Sequence, residues 1–276
     1  MKKVFMQGLK YVISILIILV IIGPLLVVLF TSFKTKEHMV TVSPLLLPDF
    51  SEITLENYRD VFSSKYLLSA FKNTAFIVLV SLFFNIIFGS ITAYALERFH
   101  FKLKRIIVAL FFLGMMIPTF VMEISRFKVI GSLGLYNTLG APIIIYIASD
   151  LMQLYIYRQF IKGIPIELDE SALLDGCGYY RIFSKIIFPL LAPATATLVI
   201  IKSVNIINDM YIPYLYMPST RLKTLSTFLM SYASAQQGSW QILAAAIVVV
   251  MIPTLSIYIF FQKYIFEGVS AGAVKS

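Results

Sequence analysis

The sequence predicts an all-α membrane protein of six transmembrane helices, with both termini and one short helical loop in the cytoplasm. Three observations carry that prediction. Apolar residues make up 59% of the 276 and charged residues 13%, against about a quarter charged in soluble domains. Long charge-free windows recur along the chain. Lysine and arginine gather in alternate connections between them.

The first window, residues 11–33, holds 23 uncharged residues after MKKVFMQGLK. About 20 apolar residues cross a bilayer as a helix. The window outruns a secretory signal core, and no small-x-small cleavage site follows it, so a retained anchor is expected. Residues 1–10 then form a cytoplasmic N-terminus, 11–33 the first span, 34–70 an external loop and 71–276 the transmembrane core.

Within that core, charge-free windows at 73–96, 106–122, 129–149, 186–201 and 224–262 predict further spans. They are placed near 71–96, 105–126, 139–160, 187–212 and 240–262. Pro24, Pro118, Pro193, Pro213 and Pro253 interrupt spans, which suits helices that bend, although neighbouring helices also tolerate such prolines passively. The Tyr211 to Tyr216 stretch reads as an aromatic belt at the membrane surface.

Orientation follows from basic residues near the span ends. With the N-terminus inside, the inner segments 1–10, 97–105, 158–185 and the tail 263–276 hold thirteen Lys and Arg. The outer segments hold nine. The short ERFHFKLKR connection is the clearest inside marker. Topology and anionic lipid account for the net charge of +9, and no basic-aromatic pattern points to nucleic acid. A single cysteine, Cys177, excludes an intramolecular disulfide, and the distant His38 and His100 make a metal cluster an unattractive reading. No G-x-x-x-x-G-K-[ST] occurs, so a P-loop for ATP is absent from this chain.

The stretch ELDESALLDGCG, Glu167 to Gly178, places four carboxylates in the third inner segment. Pro165 suits a helix start, and acids in the first turn complement the helix dipole. Leu168, Ala172 and Leu173 are expected to share an apolar face. Gly176 and Gly178 are expected to end the helix, because glycine takes the positive φ of a C-terminal cap. YYRIFSKIIF then starts a second helix leading to Pro189. A short, partly apolar, acidic helix in the cytoplasm reads as a docking element.

These residues resemble the EAA motif, E-A-A-x3-G-x9-I-x-L-P, of binding-protein-dependent ABC importer permeases. Glu170, Ser171 and Ala172 stand for E-A-A, Gly176 for the glycine, and Ile186, Phe188 and Pro189 for I-x-L-P, with Ser171 and Phe188 as mild departures. The wider chain resembles the maltose-type sugar-importer branch: YALERFHFKLKR, LGLYNTLGAPIIIY, INDMYIPYLY and FQKYIFEGVSAGAVKS follow its segments in order. ISRFKVIGSL departs, carrying Arg126 next to Glu123 where the family has an uncharged turn.

The resemblance implies a permease subunit, not an enzyme, in a prokaryotic cell membrane. It implies a sugar or oligosaccharide substrate delivered by an external solute-binding protein. Further implied partners are a second, homologous permease and two ATPase subunits that carry ATP-Mg, this chain binding no cofactor. The loop of about 161–189 would contact an ATPase through Glu170, Ser171, Ala172, Leu173, Asp175 and Gly176. Glu167 and Asp169 are left with helix-start and solubility duties. The tail would insert between the ATPases through Gly268, Ala271, Gly272 and Lys275, the other reading being a solvated terminus. The loop of about 214–237 is expected to be exposed and to touch the binding protein.

Polar residues in the spans are candidates for the translocation path: Asn205, Asn208 and Asp209 beside Lys202, and Glu123 with Arg126. Polar groups at membrane depth face the bundle interior or water, where they line a path or hydrogen-bond between helices. The second reading is preferred for Asn205, and both stand for Asn208 and Asp209. Glu123 and Arg126, one turn apart, are expected to pair. Alternatives are a glycerol-phosphate or polyol importer of the same class, which would favour a cationic path, and a polytopic membrane enzyme.

Overall fold

The computed structural model describes the backbone of residues 2–41, 43, 45, 46, 48–233 and 239–273. Side chains are described for the same residues except 2–5, 40 and 264–273. All regular elements among the described residues are helical. The chain divides into two compact units, residues 1–68 with 225–253, and residues 69–224 with 254–276.

The first unit contains α1 (Lys2–Ser32), the short α2 (His38–Thr41) and α3 (Glu56–Phe62), and α14 (Leu225–Ala233). Its helix α1 is apolar all round and none of its apolar window is buried, the pattern of a helix facing lipid. Pro24 sits inside α1 without ending it. The expected external loop is partly ordered by hydrogen bonds at the end of α1. The Asn57 amide donates to the Ser32 and Lys34 carbonyls at 2.9 Å each. Ser32 and Tyr58 share a hydroxyl contact of 2.7 Å. These bonds satisfy carbonyls that a helix end leaves without partners. In α14, Leu225 and Phe228 are buried, so this part of the 214–237 segment is not the exposed loop the sequence suggested. Residues 234–238 lie outside the described residues.

The second unit is built on α4 (Leu67–Arg98). Then follow α5 (Lys104–Met116), α6 (Thr119–Ser132), α7 (Gly140–Ile147), α8 (Leu151–Lys162) and α9 (Glu167–Leu174). Next, α10 (Tyr179–Ile182) runs through a π-helical stretch, Phe183–Ile187, into α11 (Phe188–Leu190). Last come α12 (Ala192–Asn208), α13 (Tyr211–Tyr216) and a 3₁₀ turn at Thr220–Leu222. The helix α15 (Trp240–Ala273) starts in the first unit and ends in the second.

Among the described residues three helices are long and apolar enough to cross a membrane, and up to six spans result if each bent pair counts as one. Three of the expected spans are bent pairs of helices. Residues 105–126 break between α5 and α6 with a 107° bend. Pro118 is the cause: it pushes Ile117 to ψ 121°, out of the helical region. Residues 139–160 break at Ala148–Asp150 with a 45° bend, and α10–α11 meets α12 at 73°. The fifth expected span, 187–212, is α12 followed by the separate α13. Pro193 lies in the first turn of α12 and Pro253 inside α15.

Packing in the second unit follows the same logic of satisfied polar groups at depth. Asn85 of α4 is 1% exposed. Its amide donates to the carbonyls of Tyr146, Ile147 and Ala148 at 3.1, 3.3 and 2.9 Å. It thereby caps the broken end of α7. Gln153 of α8 returns a bond to the Asn85 carbonyl at 2.9 Å. Gly89 lets α8 come this close: a Cβ there would stand 2.3 Å from Gln153 Nε2.

Candidate functional site

The acidic loop forms the helix its composition suggested, and the loop after it is set by one glycine. Gly176 has φ +78°. The Cys177 amide donates to the Ala172 carbonyl at 2.9 Å, and the Gly176 amide to the Leu173 carbonyl at 3.0 Å. Those two bonds are the Schellman ending of a helix. Gly178 takes no part: at φ −75°, ψ 155° it precedes α10 in extended conformation.

The two faces of α9 differ from the expected assignment. Ala172 is 7% exposed and packs inward with Tyr94, Leu154, Tyr157, Ile161, Ile182 and Phe183. It does not share an outer face with Leu168 and Leu173. Glu170, Ser171, Leu173, Asp175 and Gly176 are exposed, and Leu174 is 90% exposed. An acid-apolar surface of Glu170, Leu173, Leu174 and Asp175 is thus presented outward.

Asp169 is the residue the sequence reading missed. Far from a solubility role, it is buried. Its Oδ1 accepts from the Tyr94 hydroxyl at 2.7 Å, and its Oδ2 lies 3.2 Å from Arg98 Nε. Nε and Oδ2 form no hydrogen bond, so that contact is an ion pair only. Arg98 Nη2 also donates to the Ile164 carbonyl at 2.8 Å. A second pair, Arg158 Nε to Glu97 Oε2 at 2.8 Å, ties α8 to the same end of α4. The available signal was the arginine of YALERFHF, a cation at the very end of a span whose neighbouring acid, Glu97, pairs with Arg158 instead.

At α15, Gly268, Ala271 and Gly272 lie on helical backbone, and Lys275 lies outside the described residues.

The polar candidates of the spans separate into two groups. Glu123 and Arg126 pair as expected, and Glu123 also accepts from the Tyr216 hydroxyl at 2.9 Å. Tyr216 is buried with Ile130, Ala141 and Ile212, which removes it from the surface belt, whereas Tyr211 and Tyr214 are exposed. In the second group Lys202 pairs with Asp150. Asp209 accepts from the Tyr146 hydroxyl at 2.9 Å and from the Ile212 amide at 3.1 Å.

Asp150 was hidden inside an expected span, and the break there explains it. Its Oδ1 accepts from the Gln153 amide at 2.8 Å, capping α8. Its Oδ2 faces Lys202. Lys202, Asn205 and Asp209 line one cavity of about 200 Å³ together with Tyr146 and Asp150. Asn205 is exposed there, so the preferred interhelical reading gives way to cavity lining; Asn208 is exposed but does not line it. A larger cavity of about 680 Å³ shares Ile145, Ala148 and Asp150 and adds Arg126, Met115 and Met122.

Comparison with known proteins agrees with these features. The family described as "Binding-protein-dependent transport system inner membrane component" matches residues 85–270. The chain is 33% identical, over the whole of both sequences, to the probable starch degradation products transport system permease protein AmyC of Thermoanaerobacterium thermosulfurigenes. It is 33% identical to the melibiose/raffinose/stachyose import permease protein MelC of Bacillus subtilis (strain 168), covering 91% of each. Its fold is similar to a chain from the crystal structure of a bacterial ABC transporter importing alginate. That match has a TM-score of 0.85 at 20% identity, over 95% of this chain and 96% of that one.

Proposed function

Since the chain belongs to the family of binding-protein-dependent transport system inner membrane components, we propose that it carries a sugar or oligosaccharide handed over by an external solute-binding protein. It is a multi-pass membrane subunit of an ABC importer; hydrolysis of ATP belongs to a separate subunit. In the proposed assembly two ATPases hold ATP-Mg and a second, homologous permease completes the pathway. Both termini and α9 face the cytoplasm of a prokaryotic cell, in keeping with the basic inner segments.

The observation that carries the reading is the two-sidedness of α9. Its inner face is fastened by Asp169 and Ala172, while Glu170, Leu173, Leu174 and Asp175 are left outward. A partner that receives this surface moves α9, and the Asp169–Arg98 pair passes the displacement to α4. Glu170 supplies a charge-assisted hydrogen bond, roughly twice as strong as a neutral one. Gly176 fixes the angle at which the chain leaves the helix. The tail, through Gly268, Ala271, Gly272 and Lys275, is proposed as a second contact with the ATPases.

Glu170→Lys and Gly176→Pro test the assignment. Both variants are expected to insert in the membrane, and both are expected to lose ATP-driven sugar uptake in reconstituted importer. Normal uptake by both overturns the assignment of α9 as the coupling element.

A further inference from the structure

We infer that the cavity at the α7–α8 break is a charge filter, taking neutral, hydroxyl-rich sugars and excluding anionic ones, with Asp150 as the residue that decides. The inference rests on the sugar-importer reading and names the class of sugar. It follows from how each charged group lining the two cavities, which share Ile145, Ala148 and Asp150, is held. Among the described residues, Arg126 is the only basic side chain lining the larger one, and it is paired with Glu123. Lys202 is likewise the only described basic side chain lining the smaller one, and it is paired with Asp150.

Within that second pair, the carboxylate is the group in view. The Asp150 side chain is 53% exposed and the Lys202 side chain 14%. Asp209 adds a second carboxylate to the wall, with both oxygens already accepting bonds. Two carboxylates against one covered ammonium leave the smaller cavity net negative. A uronate or phosphate ester entering it meets like charge, which disfavours its binding. A neutral sugar meets carboxylate acceptors and the exposed Asn205 amide, which both donates and accepts.

The cap geometry provides a clean way to alter the filter. Asparagine caps helices as well as aspartate does, so Asp150→Asn keeps the Oδ1 bond to Gln153 and removes the charge opposite Lys202. The cavity then contains an ammonium with no carboxylate paired to it.

The test uses the assembled importer in nanodiscs, with Cys177→Ser and a reporter Ala148→Cys, at an exposed position lining both cavities, in this chain. Maleimide labelling at position 148 is read by peptide mass spectrometry. The probes are maltotriose and raffinose as neutral sugars and trigalacturonate as the anionic one. Either neutral sugar is expected to slow labelling several-fold and trigalacturonate to leave it unchanged. With Asp150→Asn added, trigalacturonate is expected to protect. Protection of the Asp150 form by trigalacturonate, or no protection by any of the three, overturns the filter. So does an Asp150→Asn form that still ignores trigalacturonate. Copurification with an ATPase, and ATP-driven sugar uptake by the same importer reconstituted in sealed liposomes, report separately on the importer reading.

Discussion

The guanidinium of Arg98, at the last residue of α4, stands 3.2 Å from the carboxylate of Asp169 in the first turn of α9. Both side chains are largely buried, 11% and 8% exposed. Removing one partner of such a pair leaves the other charge buried and uncompensated, at a cost of about 3–5 kcal/mol. Asp169→Ala is therefore expected to lower the melting temperature of the importer complex clearly. Tyr94→Phe, which removes one hydrogen bond to the same carboxylate, should cost only about 1 kcal/mol. Thermal unfolding of the two variants side by side checks the ranking. Equal effects would show that the ion pair is not what holds α9.

Gly176 separates backbone strain from crowding. A Cβ there meets nothing within 4 Å, while φ is +78°. Gly176→Ala then costs about 1–2 kcal/mol through the left-handed backbone alone. Gly176→Asn costs less, because asparagine visits that region more readily. The measurement is the ratio of ATP hydrolysed to sugar transported. It is expected to rise in the order Gly, Asn, Ala, since a misdirected exit from α9 loosens coupling before it disrupts assembly.

Lys34 gives a pH dependence outside the spans. It is 1% exposed, and its ammonium donates to the Ser43 carbonyl at 2.6 Å. Burial lowers its pKa below the ordinary 10.5. Between the lowered value and 10.5, the unfolded segment binds more protons than the folded one, so stability rises with pH across that window. Below the lowered value the ammonium is charged in both states and the slope vanishes. Hydrogen exchange in α3 (Glu56–Phe62) is expected to slow, beyond the base-catalysed trend, as pH rises through that window. Lys34→Met should abolish the extra protection.

The helical class, the family resemblance and the short helix α9 with its glycine exit were legible because they rest on local signals. Charge-free windows, the positive φ at Gly176 and the E-x-x-x-x-x-G spacing need no knowledge of neighbours. The breaks at Ile117–Pro118 and Ala148–Asp150 fell inside expected spans because long apolar stretches flank them. Pro118 marked the first; the second is held by Asn85 from α4, a contact that no local pattern announces. Asp169 was misjudged for the same reason. An aspartate in a helix's first turn has an adequate local explanation, and only the approach of Tyr94 and Arg98 changes its role. Ala172, assigned to the partner by its place in the motif, packs into its own chain because its side of α9 faces Tyr94 and Phe183.

The close approach of α4 and α8 yields a prediction that tests the break itself. A Cβ on Gly89 would lie 2.3 Å from Gln153 Nε2 and 3.0 Å from Oε1. These atoms are the tip of a flexible side chain, so Gly89→Ala displaces Gln153 rather than the helix. The loss is the bond to the Asn85 carbonyl, about 1 kcal/mol for a typical hydrogen bond and more where a buried group is left unpaired. Gln153→Ala alone loses the same bond. The two substitutions together should then cost less than their sum, because the second removes the atom with which the first collides. A double-mutant cycle in thermal stability reads this coupling. Additive losses would mean that Gly89 and Gln153 do not meet, and that some other contact holds α8 at the α7–α8 break.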